Sequence, residues 1–371
     1  MIYLDNAATS FPKPRSVIKS TIECINKYCG NPGRSSHTLS LKAAEKIYDT
    51  REKITKLLNY DSPESVVFTY NATYALNLAI KTIIRDNCHV LTSDFEHNSV
   101  IRPLESLKEK NGITYDIFST DGDIRSNINS KIRPDTIAIV CSIESNIGGY
   151  KIDYKTLCEI AKEHNLKLII DASQALGHEN IDYKNHRCDA LCAPGHKGLF
   201  GIQGCGFVVF NSKYRNESFI EGGSGSDSEK TFMPYLLPEG YEAGTLSTPA
   251  IVSLGAGIDF IREKGVEIIH QQLEYLTEEL IIRLEKIKGI KLYKKGAGIV
   301  SFNYKDIPSL KLTSELDKEE ICVRGGLHCA PSAHYKMGTS DFGSVRASFS
   351  YLNTIRDVDK LYLELKRIVN A

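Results

Sequence analysis

Two residues stand out for the chemistry they could do together. Asp171 closes an apolar run from Leu166 to Ile170. Lys197 follows 26 residues later in Pro194-Gly195-His196-Lys197-Gly198, just beyond a second apolar run. A carboxylate and an amine beyond the carboxyl ends of strands lie where α/β sheets bind their ligands. The pair suits pyridoxal phosphate. Its aldehyde takes a lysine amine as a Schiff base, and its pyridine nitrogen needs a carboxylate to stay protonated as an electron sink. Taken alone, the same residues equally describe a solvated lysine on a turn and an aspartate that caps the next helix.

Other side chains converge on the same place. The stretch Thr69 to Thr73 joins a strand to a helix and offers backbone N–H groups and a hydroxyl at a helix N-terminus, a phosphate site or a plain helix cap. Glu96-His97-Asn98 follows another strand at that sheet edge and brings an imidazole within reach. Gly201, Gly204 and Gly206 match a phosphate loop weakly and read as a turn before a strand. A zinc site built on His186, Cys188, Cys192 and His196 fails on spacing: in a strand, Cys188 and Cys192 would stand about 13 Å apart, too far for one ion.

The elements that must hold these groups alternate. Short apolar runs at Ser65 to Thr69, His89 to Ser93, Thr136 to Ser142, Leu166 to Ile170 and Gly206 to Phe210 read as strands covered on both faces. Helical spacing occupies Thr73 to Lys81 and Tyr154 to His164. The alternation implies an α/β fold with a mostly parallel sheet and helices on both faces. After Pro249 the pattern changes to two long helices (Ala250 to Lys264, Val266 to Ile287), short strands at Ile290 to Tyr293, Gly298 to Tyr304 and Val345 to Ser350, and a final amphipathic helix from Thr354 to Val369. These form a smaller α+β domain. The loop Glu221 to Ser228 is a flexible border for the site.

Composition limits the function classes. The 46 Lys and Arg balance 46 Asp and Glu, so no basic excess points to nucleic acid. No apolar run is long enough for a membrane span, and Met1 to Asp5 does not look like a signal peptide, so the expected location is the cytoplasm. Ten cysteines in such a chain read as thiols rather than a disulfide framework, with Cys141 serving as a small hydrophobe.

The sequence also resembles the class V aminotransferase group of fold type I, and within it the cysteine desulfurases, over nearly its whole length. The matching stretches are Tyr3 to Thr9, His37 to Ser40, Glu96-His97, Ser145-Asn146, Asp171 to Gln174, Gly195 to Lys197, Glu242 to Thr245, Arg324 to Cys329 and Arg346 to Ser348. The resemblance implies a large pyridoxal-phosphate-binding domain over 13–248 and a small domain from 1–12 and 249–371. Lys197 would carry the cofactor and move the Cα proton. Asp171 would hold the ring nitrogen and Gln174 the ring hydroxyl, with His97 stacked on the ring. Thr73, Ala72 and His196 would hold the phosphate, joined by Thr245 from a second subunit of a homodimer. Asn146, Arg346 and His37 would bind the substrate, Arg346 through a bidentate fork on its carboxylate. Cys329 would be the nucleophile that converts L-cysteine to alanine and a persulfide, with no metal involved. The sulfur would pass to an acceptor protein, as in iron–sulfur cluster assembly.

Three departures accompany the resemblance. Pro194 stands where relatives place a hydroxyl on the phosphate, and Leu327 where one subgroup has a histidine. Arg346 follows Cys329 by only 17 positions, as in the short-loop (group II) desulfurases, so an acceptor would have to dock at the pocket mouth. A selenocysteine lyase acting on L-selenocysteine shares the cofactor and fold. A transaminase or epimerase of the same class needs no nucleophilic thiol, and a non-catalytic binding protein or zinc module would be colourless.

Overall fold

The computed structural model describes residues 1–33, 36–211, 219–225, 229–293, 296–305 and 307–370. Its centre is a seven-stranded sheet in the spatial order Val66–Thr69, Gly206–Phe210, Ala190–Pro194, Lys167–Asp171, Thr136–Ser142, His89–Ser93, Thr114–Phe118. Gly206–Phe210 runs antiparallel to both neighbours, and the other pairings are parallel. Parallel strands joined by helical crossovers are buried on both faces, hence their unbroken apolar runs. Side chains alternate between faces. Val90, Val140, Ile169 and Val208 pack with the helices Ala72–Ile83 and Asn98–Asn111, while Leu91, Ile139, Ile170 and Leu191 belong to the larger core on the other side.

One consequence of this topology is chemical. Thr69, Ser93, Ser142, Asp171 and Pro194 all end strands at the same edge, and antiparallel Gly206 begins there, paired with both Thr69 and Pro194. Gly206 is needed for a close approach. A Cβ built on it would stand 2.4 Å from the carbonyl carbon of Asn71 and 2.8 Å from the nitrogen of Ala72. Only glycine lets this strand lie under the turn that opens the next helix.

The smaller C-terminal domain carries a four-stranded antiparallel sheet in the order Arg324–Gly326, Ser344–Ser348, Ile299–Tyr304, Ile290–Leu292. The chain's beginning joins it: Ile2–Tyr3 pairs in parallel with Ile321–Cys322, and Asp5 bridges to Ser348. The helix Thr248–Lys264 lies against Arg15–Lys27 and Thr38–Leu57.

The sequence boundaries shift by a few residues at element ends. Ser65 belongs to the 3-10 turn Pro63–Ser65 rather than the strand; residues 285–287 lie past the helix Val266–Leu284; Tyr293, Gly298, Phe349 and Ser350 flank strands instead of continuing them. Gly298 has φ +83°, outside strand geometry, which explains its exclusion. Residues 226–228 of the expected border loop lie outside the described residues.

Candidate active site

The pocket opens at the shared strand edge and holds about 790 Å³ of space, its mouth included. Its walls bring together Ala72, Thr73, His97, Asn146, Asp171, Gln174, His196, Lys197 and Arg346, nine of the residues singled out from the sequence.

Each is held by local structure. Asp171 is the last residue of its strand, buried, with one carboxylate oxygen accepting the Ser173 N–H at 2.9 Å. Gln174 donates to the Ala7 carbonyl at 3.1 Å. Burial pulls the Lys197 amine down to about 8, Asp171 raising it and Arg346 and Arg324 lowering it further. A lysine lowered this far is partly neutral near physiological pH and can act as a nucleophile and a base.

The phosphate end follows from two helix caps. Asn71 caps Ala72–Ile83 by accepting the Tyr74 N–H at 3.0 Å, which leaves earlier N–H groups of the turn for an anion. His97 caps Asn98–Asn111, its Nδ1 accepting the Ser99 N–H at 3.0 Å. Nδ1 therefore carries no proton, and the neutral ring has its proton on Nε2. Ser99 Oγ lies 2.9 Å from His97 Nδ1 and 2.9 Å from Thr73 Oγ1, so a chain of hydroxyls links the imidazole to the phosphate turn. Burial, then the Lys197 charge, lowers His97 to about 4; the same two causes, with Lys13, bring His196 to about 4. The His196 Nδ1 is buried without a protein partner, a polar atom suited to a phosphate oxygen or bridging water. The residues thus fit pyridoxal phosphate in donors and charge.

The opposite wall is cationic. Arg346 is only 1% exposed; it donates to the Asn146 carbonyl at 2.9 Å and to Asp5 at 2.6 Å, while its Nε is buried and unpartnered. Arg324 stands directly opposite it in the neighbouring strand and also lines the pocket. Asn146 donates to the His328 carbonyl at 2.8 Å, holding the segment that carries Cys329. His328 and Cys329 both adopt the left-handed backbone region, φ +49° and +57°. Non-glycine residues pay for that conformation, so the segment depends on its surroundings to hold it. The Cys329 thiol is exposed, as is Cys29; Cys322 is half-buried and the other seven cysteines are buried.

Three expected residues are not among those lining this pocket: Cys329, which directly follows the lining residue His328, and two that lie elsewhere. His37 caps Thr38–Leu57 by accepting the Ser40 N–H at 3.3 Å. Thr245 lines a separate cleft with Tyr70, Tyr74, Phe219 and Ile220. Sequence reasoning gave no role to Ser99, Lys13, Asp5, Arg324 or His328. Ser99, the second residue of the helix that His97 caps, had a signal in its spacing. Asp5 had none, because its contact with Arg346 spans the whole chain.

The class-V aminotransferase family model matches residues 2–361. The chain belongs to that family. Among relatives of this class-V aminotransferase, a probable cysteine desulfurase of Methanothermobacter thermautotrophicus is 31% identical, covering 99% of this chain and 94% of the relative. The apo cysteine desulfurase of Thermococcus onnurineus superimposes with a TM-score of 0.92 at 29% identity, over 100% of this chain and 94% of that one. The cysteine desulfurase CsdA of Escherichia coli, in its S-sulfonic acid form, gives 0.89 at 22% identity over 99% and 94%, a likeness of fold.

Proposed function

We propose that this class-V aminotransferase is a pyridoxal-phosphate-dependent cysteine desulfurase, taking L-cysteine to L-alanine and leaving a persulfide on Cys329. The observation that carries this reading is an exposed thiol on Cys329, the residue that follows His328 in the wall of a pocket holding Lys197, Asp171 and Arg346. Bound there, pyridoxal phosphate supplies the electron sink that makes the substrate Cα–H acidic and its C–S bond labile.

The chain's residues supply the rest. Lys197 holds the cofactor, and its amine, lowered to about 8, moves the Cα proton. Asp171 keeps the ring nitrogen protonated, and Gln174 holds the ring hydroxyl. Thr73, Ala72 and His196 take the phosphate. Pro194, which lines the pocket without a hydroxyl to offer, leaves it one bond fewer. Arg346 and Asn146 orient the substrate, and His97 covers the ring. The Cys329 thiolate attacks the substrate sulfur. An S–S bond forms, the C–S bond breaks with its electron pair left on carbon, and a proton completes alanine. No external oxidant or reductant is consumed.

The same reading includes a homodimer, in which Thr245 serves the partner's pocket, a substrate-binding role for His37, and a division into 13–248 against 1–12 with 249–371. It further includes a cytoplasmic location, supported by ten cysteines all free among the described residues, and a sulfur-acceptor protein, with iron–sulfur assembly as one destination. Among the described residues no helix is long and apolar enough to cross a membrane. The test is purified protein with L-cysteine. A borohydride-bleachable cofactor band, alanine, and a Cys329 persulfide trapped by alkylation support the reading. Alanine without any protein persulfide moves it to lyase chemistry.

A further inference from the structure

The Cys329 segment continues into the short helix Pro331–Met337, which sits on the large domain over a small apolar cluster of Phe95, Ile147, Ala330 and Ala333. So few apolar side chains hold a seven-residue helix weakly. Among the described residues, the side chain that ties it to the neighbouring segments by polar bonds is Lys336. The Lys336 ammonium lies 2.6 Å from Asp94 Oδ2 and 2.9 Å from Asp121 Oδ2, and donates to Thr120 Oγ1 at 3.1 Å. It also stands 4.7 Å above the ring of Phe95, which is stacked on Tyr150.

Asp94 is itself fixed, accepting from the Thr120 N–H at 3.2 Å and its hydroxyl at 2.8 Å. It lies three residues before His97, on the same connection. Within that connection the Asn98 N–H donates to the Cys329 carbonyl at 2.7 Å. The thiol and the imidazole are therefore carried by two segments that meet at one backbone hydrogen bond and one ammonium between two carboxylates. At 21% and 16% side-chain exposure, Lys336 and Asp94 are better shielded than surface ion pairs.

We propose that Lys336 is a positioning residue for the nucleophile: its bonds to Asp94 and Asp121 hold the helix after Cys329 against the His97 connection and so set the distance from thiol to substrate sulfur. This rests on the desulfurase reading. It goes further by assigning the alignment of Cys329 to a side chain that touches neither substrate nor cofactor. The left-handed backbone at His328 and Cys329 is what makes such a hold necessary, since without it the segment would relax to an easier conformation.

The test separates binding from sulfur transfer in holoenzyme. The substrate-induced change in cofactor absorbance, titrated with L-cysteine, reports events in the pocket. Single-turnover persulfide formation, quenched with an alkylating agent and read by mass spectrometry, reports the thiol. Lys336→Met is expected to form persulfide about tenfold more slowly or worse, with the absorbance titration within about twofold of wild type. Lys336→Arg, which keeps the charge, should recover most of the rate, and hydrogen exchange over 328–337 should quicken in the Met variant alone. Should Lys336→Met fail to fold or hold cofactor, Lys336→Gln takes its place in the same assays. Unchanged persulfide formation overturns the proposal while leaving the desulfurase reading intact. Equal losses in both readouts also overturn it, since they mark a general structural role. A wild-type protein that makes no persulfide sinks the desulfurase reading itself.

Discussion

The side chain of Glu96 lies directly beneath the strand pair that presents Asp171: its carboxylate accepts the Ser142 N–H at 2.9 Å, and Ser142 is the register partner of Asp171. The Ser142 hydroxyl donates to Glu96 at 2.9 Å, and the Ser93 hydroxyl donates to it as well. One buried carboxylate thus joins the ends of two neighbouring strands, beside the one that ends in Asp171. Its solvation is replaced entirely by protein hydrogen bonds.

That placement predicts a pH dependence of stability. Burial raises Glu96 to about 7, against its hydrogen bonds and with help from Asp171. A carboxyl raised on folding binds its proton more tightly in the native state. Its contribution is complete below the unfolded pKa near 4.5 and is lost as pH rises through about 7. Glu96→Gln removes the titration. Relative to the variant, cofactor-saturated wild type should lose about 3 kcal/mol between pH 4.5 and 8. Urea midpoints for both proteins over that range check it, and a parallel pair of curves would refute it.

Lys197 titrates the other way. Only its neutral amine attacks an aldehyde, so capture of pyridoxal phosphate by cofactor-free protein should accelerate about tenfold per pH unit below 8 and level off above. An unperturbed lysine would keep accelerating to about pH 10. Stopped-flow absorbance across pH 6 to 10 distinguishes the two. Lys197→Ala should give no borohydride-reducible band at any pH.

Cys329 should be dispensable for binding and indispensable for sulfur transfer. Cys329→Ser leaves Arg346, Asn146 and Lys197 in place, so L-cysteine should still perturb the cofactor spectrum with little change in affinity. Persulfide should disappear and turnover fall by at least about a thousandfold, as befits removal of a nucleophile. Cys29→Ser, which removes the other exposed thiol, should leave both intact. Near-normal alanine production by Cys329→Ser would end the assignment.

Much of the central sheet was legible because strands buried on both faces leave an unbroken apolar signature: His89–Ser93, Thr136–Ser142 and the antiparallel Gly206–Phe210 begin and end where the sequence pattern does. Elements with mixed exposure left no such mark. Thr114–Phe118 is an edge strand with an exposed Ile117, and the sequence pattern assigned it no element. The helix Arg15–Lys27 turns Ile18, Ile22 and Ile25 outward, so its apolar residues do not define one buried face. In the site, Lys197, Asp171 and the Asn71 to Thr73 turn follow from strand ends alone. Asp5 against Arg346 and Lys336 against Asp94 join residues hundreds of positions apart, and only the fold reveals them.

Thr245 supplies the last prediction, because its place in this chain is outside the pocket it is expected to serve. The Glu242 to Thr245 segment is firmly set. Glu242 pairs with Arg51 at 2.7 Å in a buried ion pair and accepts the Phe68 N–H at 2.6 Å, one residue from the strand end that leads to the phosphate turn. Thr245 nevertheless faces a cleft shared with Tyr70, Tyr74, Phe219 and Ile220, with exposed Phe232, Tyr235 and Leu236 elsewhere in the 219–247 stretch. Aromatic and apolar exposure on that scale suits an interface. Light scattering should give a mass near twice 41.4 kDa. Loss of a hydroxyl bonded to phosphate in Thr245→Ala should weaken cofactor binding about tenfold or more. Mixed dimers decide whether the hydroxyl acts across the interface. Pairing a Thr245→Ala subunit with a Lys197→Ala subunit leaves, in a dimer that shares the residue, one pocket with both Lys197 and its neighbour's Thr245. Hybrids should therefore regain tight cofactor binding at about half of their sites. If Thr245 serves its own subunit, the hybrid has no complete pocket and regains nothing.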